Sequence, residues 1–98
     1  MSYNVYFHPE AEAELREAAV YFDNESVGLG SHFLNDLQYA INLISFTPEI
    51  SPVIKKKVRR KLLRKFPYSL FYIVIGSDIR ILAVAHQRRR PFYWQYRQ

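Results

Sequence analysis

The sequence contains no cysteine, which excludes a disulfide framework and a thiolate metal site. Its three glycines do not cluster, so it has no glycine-rich phosphate loop. The longest apolar run, Leu70 to Ile75, is too short to span a bilayer, and the N-terminus lacks the basic and apolar regions of a signal peptide. We therefore expect a single cytoplasmic domain over residues 1–98 that makes no membrane contact.

The first half of the chain has almost no basic residues, and the second half has almost no acidic residues. Residues 1–54 hold one base, Arg16, and eight acids, for a net charge of −7. Residues 55–98 hold 13 bases and one acid, Asp78, for a net charge of +12. This division predicts an acidic face and a basic face that attracts anionic partners.

Hydrophobic periodicity predicts an α+β fold in the order β-α-α-β-β-β, with a helical hairpin packed on a small, mainly antiparallel sheet. Pro9 suits the first position of a helix, and apolar residues recur at helical spacing after it, with Glu14 among the residues expected on the polar side. A break over residues 24–30 separates this helix from a second one, which ends before Pro48. Strands are predicted at residues 3–7, 58–66, 70–75 and 79–85.

The basic run from Lys55 to Lys65 contains eight positive charges and no acid. One interpretation is an anion-binding edge for nucleic acid or an acidic peptide. The other is a solvated edge strand, since lysine-rich edges discourage aggregation between sheets. The functional interpretation is favoured, because so many uncompensated charges exceed what edge protection requires.

Aromatic residues and arginines alternate in the C-terminal segment from His86 to Arg97. These side chains can stack bases and pair phosphates, or they can plug the open end of a small core, and both alternatives remain open here. His86 is a candidate general base, although a structural role is the commoner one for a lone histidine. The other histidines, His8 and His32, are far away in sequence, so we expect no metal and no cofactor.

Several motifs resemble the RelE/ParE superfamily of bacterial toxin–antitoxin toxins, and the resemblance covers essentially the whole chain. The motifs are Pro9-x-Ala11-x-x-x-Leu15, Gly28-x-Gly30-x-x-Phe33, Phe66-Pro67-Tyr68-x-x-x-Tyr72 and His86-x-x-Arg89-x-Pro91-x-Tyr93-Trp94-x-x-Arg97. The resemblance implies a growth-inhibiting toxin of a type II module, often associated with plasmid stabilisation. It also implies a hetero-oligomer with a cognate acidic antitoxin, similar to ParD or RelB.

The superfamily has two chemistries, and the chain resembles the ParE-like branch more closely. That branch binds and poisons DNA gyrase, so the resemblance favours a binding protein rather than an enzyme. The RelE-like branch cleaves mRNA on the ribosome and typically carries arginines where this chain has Ser69 and Gln87. Substitution by other cations could still restore a ribonuclease, and an inactive member that only binds antitoxin is a further alternative. A ribonuclease would use His86, Arg89, Tyr93 and Arg60.

The residues predicted to contact the target or the antitoxin lie on the basic half of the chain. They are Arg59, Arg60, Lys61, Arg64, Lys65, Arg88, Arg89, Arg90, Tyr93, Trp94 and Arg97. The acidic antitoxin segment is expected to fold on binding, with charge complementarity increasing its association rate.

Overall fold

Two long helices follow a short first strand. The computed structural model describes residues 2–97, in which β1 spans Asn4–Phe7, α1 spans Pro9–Glu25 and α2 spans Leu29–Phe46. α1 begins at Pro9 as predicted, because the His8 side chain caps it: Nδ1 accepts a hydrogen bond from a first-turn backbone N–H at 3.1 Å. Within residues 2–97, neither helix is both long and apolar enough to cross a membrane.

The connection between the helices brings their backbones very close together. Gly28 precedes α2 with φ of 87°, a left-handed conformation that glycine adopts without strain. The Gly30 N–H donates a hydrogen bond to Asp23 Oδ1 at 2.8 Å. A Cβ atom at Gly30 would lie only 2.5 Å from the Ala19 carbonyl oxygen, so this contact requires glycine. The break between the helices is therefore shorter than the sequence suggests.

The sheet has five strands in the order β1-β5-β4-β3-β2. β1 pairs with β5 in parallel, and the other three pairs are antiparallel. The predicted α+β class and mainly antiparallel sheet are confirmed. The C-terminal strands are β2 (Val53–Lys55), β3 (Val58–Leu62), β4 (Tyr68–Ile75) and β5 (Asp78–His86).

The structure adds a strand that the sequence does not predict. β2 has three residues, too few for a period-two pattern, and it follows a 3₁₀ turn at Pro48–Ile50. Lys56, with φ of 52°, begins the tight turn into β3. β3 ends at Leu62 rather than at residue 66, and the chain then loops to β4. The basic run therefore spans a strand end, a turn, a strand and a loop.

Both faces of the sheet are covered, as the apolar strands β4 and β5 predict. The larger core cluster lies between the helices and the sheet and includes Phe33 and Ile81. A smaller cluster lies on the opposite face, where Trp94 packs with Leu82 and Val58. This opposite face, called here the open face, carries the candidate site.

Candidate functional site

The segment after β5, residues 87–97, folds back across the open face and is called here the tail. Trp94 is 2% exposed and stacks on Phe71 of β4, with ring centroids 4.8 Å apart and planes at 29°. Lys55 ties the tail to β2, because its Nζ donates to Gln95 Oε1 at 2.8 Å and lies 4.5 Å from the Phe92 ring centroid. Of the two alternatives for the aromatic residues, the structure shows the plug over the core.

The carboxylate of Glu14 in α1 is the main anchor of the tail. Glu10, one turn earlier, adds a hydrogen bond from Tyr96 Oη at 3.0 Å and lies 3.7 Å from Arg97 Nη2. Glu14 Oε2 accepts hydrogen bonds from Tyr93 Oη at 2.7 Å and from Arg97 Nη2 at 3.1 Å. Its Oε1 accepts from Arg97 Nη1 at 2.9 Å and from the Val84 backbone N–H at 3.0 Å. Arg97 Nη1 also donates to the Leu82 carbonyl at 3.1 Å. β5 pairs with β1 only as far as Ile81. Beyond that point, Glu14 and Arg97 provide the hydrogen-bond partners of the Val84 N–H and the Leu82 carbonyl.

This anchor changes the acid–base properties of the tail. Burial raises the pKa of the Tyr93 hydroxyl well above its ordinary value of 10.0, and the hydrogen bond to Glu14 and its charge raise it further. Burial, the largest single effect, lowers the pKa of Arg97, but the hydrogen bonds to Glu14 and Tyr96 together with the Glu14 charge raise it by more, so the guanidinium stays charged. At neutral pH Tyr93 is a protonated hydroxyl that donates to Glu14. It is therefore a poor general base.

A groove of about 390 Å³ lies beside the tail on the open face and is called here the tail groove. Arg60, His86, Arg89 and Tyr93, the four residues that a ribonuclease would use, all line it. The structure therefore brings together side chains from β3, the end of β5 and the tail.

Three of these four side chains have partners within the chain. The Arg89 guanidinium lies 3.8 Å from the Tyr93 ring centroid and 3.9 Å from Glu14 Oε2. His86 Nδ1 accepts a hydrogen bond from the Arg88 N–H at 3.0 Å. Tyr93 donates to Glu14. Arg60 is exposed, as is Arg90, which also lines the groove.

The two positions where the ribonuclease branch carries arginines also lie at the tail groove. Ser69 is 4% exposed on β4, and the Gln87 side chain is neutral. Ser69 pairs with Ala85 in the β4–β5 ladder, so the side chains that form the groove floor at this point are small and uncharged. At these two positions the groove therefore offers no cation to stabilise negative charge on a transferring phosphate, and its positive charge comes from Arg60, Arg89 and Arg90 instead.

The basic run is divided between several environments rather than forming one surface. Arg60 lines the tail groove, whereas Arg59 Nη1 donates to the Ser51 carbonyl at 2.6 Å. Arg64 lies over the Tyr39 ring at 3.5 Å and 3.6 Å from the Asp36 carboxylate. Alternation along β3 separates Arg59 from Arg60, since neighbouring residues of a strand point to opposite faces, whereas Arg64 lies in the loop after β3. The remaining predicted contact residues are Lys61, which is half-buried, and Lys65, Arg88 and Arg90, which are exposed.

Two predicted contact residues are buried in the tail. Trp94 is 2% exposed and Arg97 is 4% exposed, and both make the internal contacts described above. Their side chains hold the tail in place and offer little surface to a partner. Tyr93 is half-buried and shares this role through its hydroxyl.

Two acidic residues matter to the site although the sequence did not single them out. Glu14 was expected on the polar side of α1, and this prediction is wrong: its side chain is 13% exposed. Its position three residues after Ala11 and four before Ala18, both buried, was an available signal. Asp36 is 3% exposed and accepts a hydrogen bond from the Lys65 N–H at 2.8 Å. Among residues 2–97, no group of three or more His, Cys, Asp or Glu side chains is placed to hold a metal ion.

The two-helix hairpin on a five-stranded, mainly antiparallel sheet is the fold of the ParE and RelE toxins. The chain belongs to the ParE toxin family of the type II toxin–antitoxin system parDE, whose model matches residues 5–91. It is therefore a toxin of a type II toxin–antitoxin system. No curated protein matches the chain.

Two solved structures share the fold at low sequence identity. A chain of the chromosomal ParDE toxin–antitoxin system from P. aeruginosa matches with a TM-score of 0.76 at 17% identity, covering 87% of this chain and 96% of that one. A mutant of the E. coli toxin RelE in the free state matches with a TM-score of 0.68 at 22% identity, covering 90% and 86%. At these identities the likeness concerns the fold alone.

Proposed function

We propose that the chain acts in the bacterial cytoplasm by binding and inhibiting DNA gyrase, without catalysing a reaction, and that a cognate acidic antitoxin neutralises it. The observation that carries the proposal is the anchoring of Tyr93 by Glu14. RNA cleavage through the 2′-hydroxyl needs a base, an acid and cations around the phosphate. Here the Tyr93 hydroxyl donates a hydrogen bond to the Glu14 carboxylate at 2.7 Å, and the pKa of Tyr93 is raised.

The surface proposed to contact the target is the exposed basic part of the tail and of β3. Arg88 and Arg90 are exposed on the tail, and Arg60 is exposed on the neighbouring strand. The buried anchors Trp94 and Arg97 hold this segment in a fixed shape, which reduces the ordering cost of binding. Lys61 and Lys65 extend the basic surface away from the groove and are proposed as antitoxin contacts.

A ribonuclease remains the second candidate because His86, Arg89, Tyr93 and Arg60 line one groove. The two candidates predict opposite results in paired assays. With purified gyrase and plasmid, we expect the chain to block supercoiling or trap cleaved DNA. With mRNA in a translation extract, we expect primer extension to show no discrete cuts within codons. Cuts that disappear in the Tyr93→Phe or Arg89→Ala variant would support the ribonuclease instead.

The proposed neutralisation follows from the charge of the chain. Residues 55–98 carry a net charge of +12, so an acidic antitoxin segment is attracted before contact. We expect the association rate with the antitoxin to fall as salt rises. An association rate independent of salt would show that the basic half is not the docking surface. Expression without growth arrest, in a chain that still binds antitoxin, would indicate an inactive toxin.

A further inference from the structure

A second groove of about 640 Å³ lies on the open face, at the opposite side of Trp94 from the tail groove, and is called here the lysine groove. Its floor is apolar, with Ile73 and Val58 from the sheet and Trp94 from the tail. The turn between β2 and β3 forms its rim through Lys55, Lys56 and Lys57. None of the described residues that line it is acidic.

The three lysines of the rim are not equivalent. Lys55 is occupied, since its ammonium is bound to Gln95 and lies over Phe92. Lys56 and Lys57 are exposed at the turn. Asp78, the one acid of the basic half, pairs with Ile75 across the β4–β5 ladder but does not line the groove. The rim therefore presents two cations beside an apolar floor.

The size of the apolar surface indicates the kind of ligand. Ile73 and Trp94 are 8% and 2% exposed, and Ile75 at 56% is the lining side chain that offers most apolar area. Such a surface accommodates one or two apolar side chains, whereas an acyl chain needs a longer enclosed cavity. A peptide that carries an apolar residue between carboxylates matches both the floor and the rim.

We propose that the lysine groove binds an acidic peptide segment of a partner protein. One apolar side chain packs on Ile75 and the Trp94 edge, and flanking carboxylates pair with Lys56 and Lys57. The proposal rests on the proposed function for its choice of partner, the antitoxin, but the chemistry of the groove is independent of gyrase. A segment bound here contacts Trp94 and Gln95 of the tail. Trp94 and other tail residues also form one side of the tail groove.

The test uses short fluorescein-labelled peptides in which one Leu, Ile, Phe or Trp is flanked by glutamates, with binding measured by anisotropy on the full chain. The turn variant Lys56→Asp/Lys57→Glu should weaken binding about tenfold. Asp is chosen at position 56 because it tolerates the left-handed conformation. The control Arg88→Asp/Arg90→Glu makes the same change in net charge beside the tail groove and should leave the affinity within about twofold.

Ile75→Ser tests the apolar part and should reduce the preference for a peptide with Leu over one with Ser at the central position. Unchanged Trp94 fluorescence would show that each variant keeps its fold. The proposal is overturned if no peptide binds, if both double variants weaken binding equally, or if Ile75→Ser leaves the preference intact. Binding to phosphatidylglycerol vesicles that depends on Lys56 and Lys57, without peptide binding, would also overturn it. Because gyrase is absent, each result is separable from the outcome of the gyrase assay.

Discussion

The Glu14 carboxylate and the Arg97 guanidinium form a two-pronged ion pair across 83 positions of the chain, with N–O distances of 2.9 and 3.1 Å. The pair joins the first helix to the last described residue and is largely buried, with side-chain exposures of 13% and 5%. It completes the hydrogen bonding of β5 where β1 ends. The tail, and therefore both grooves of the open face, depends on this contact.

Replacing Glu14 with Gln should lower the free energy of unfolding by up to about 3–5 kcal/mol, because the buried Arg97 would keep only Glu10, half-exposed and 3.7 Å away, as a counter-charge. Chemical denaturation measures the change. Trp94 is the only tryptophan and lies in the tail, so its emission should shift to longer wavelength if the tail is released. Glu17→Gln, on the exposed side of the same helix, is the matched control. Equal stabilities for the two variants would show that the anchor contributes nothing.

Alkaline pH should destabilise the fold through its buried tyrosines. Burial is the main cause that raises the pKa values of Tyr93, Tyr68 and Tyr72. Near pH 10 the unfolded chain loses these protons while the folded chain keeps them, so stability present below pH 10 is lost as pH rises above it.

The Tyr93→Phe variant isolates the part of the stability loss above pH 10 that is due to Tyr93. The variant should be less stable at neutral pH by about 1–2 kcal/mol, because the hydrogen bond to Glu14 is lost. Above pH 10 its stability should fall less steeply than that of the unmodified chain. Denaturation curves from pH 8 upwards test both effects. If the free energy of unfolding fell equally steeply with pH in the variant and the unmodified chain, the raised pKa of Tyr93 would be contradicted.

Asp36→Ala should reduce stability by about 1–3 kcal/mol, since the Lys65 N–H loses its acceptor and Arg64 loses its ion-pair partner. Thermal unfolding followed by circular dichroism measures the loss. Asn35→Ala, at the exposed neighbouring position of α2, should change stability much less. A loss of the same size in both variants would show that the Asp36 contacts contribute nothing specific, since alanine itself favours the helix at either position.

Gly30→Ala should destabilise the helical hairpin by about 1–3 kcal/mol, because the added methyl group would meet the Ala19 carbonyl oxygen at 2.5 Å. This atom belongs to the backbone, so the helices must separate to relieve the contact. Ser31→Ala, the exposed neighbour, serves as control in the same denaturation experiment. An increase in stability for Gly30→Ala would mean that helix propensity outweighs the contact.

The sequence predicts the elements well and their contacts poorly. The helices and the β4–β5 hairpin have clear periodicity, whereas Val53–Lys55 is too short to show any. Alternation places Arg59 and Arg60 on opposite faces of β3, but which of them faces the tail groove is known only once the register with β4 is known.

The candidate site was predicted in part. His86, Arg89 and Tyr93 are close in sequence, so their meeting near Arg60 needed only the strand order. The role of Glu14 was not predictable in the same way, because its partners lie 70 to 83 positions away. Without that contact, the alternation of aromatic and basic residues in the tail fits a nucleic-acid surface as well as it fits a core plug.

The most direct test of the proposed function compares the unmodified chain with Tyr93→Phe in the gyrase and mRNA assays. If Tyr93 anchors the tail and does no chemistry, both proteins should inhibit supercoiling by gyrase at similar concentrations wherever both are folded, and neither should cut mRNA on the ribosome. Gyrase activity unaffected by a stoichiometric excess of the chain, together with mRNA cuts that require the Tyr93 hydroxyl, would contradict it.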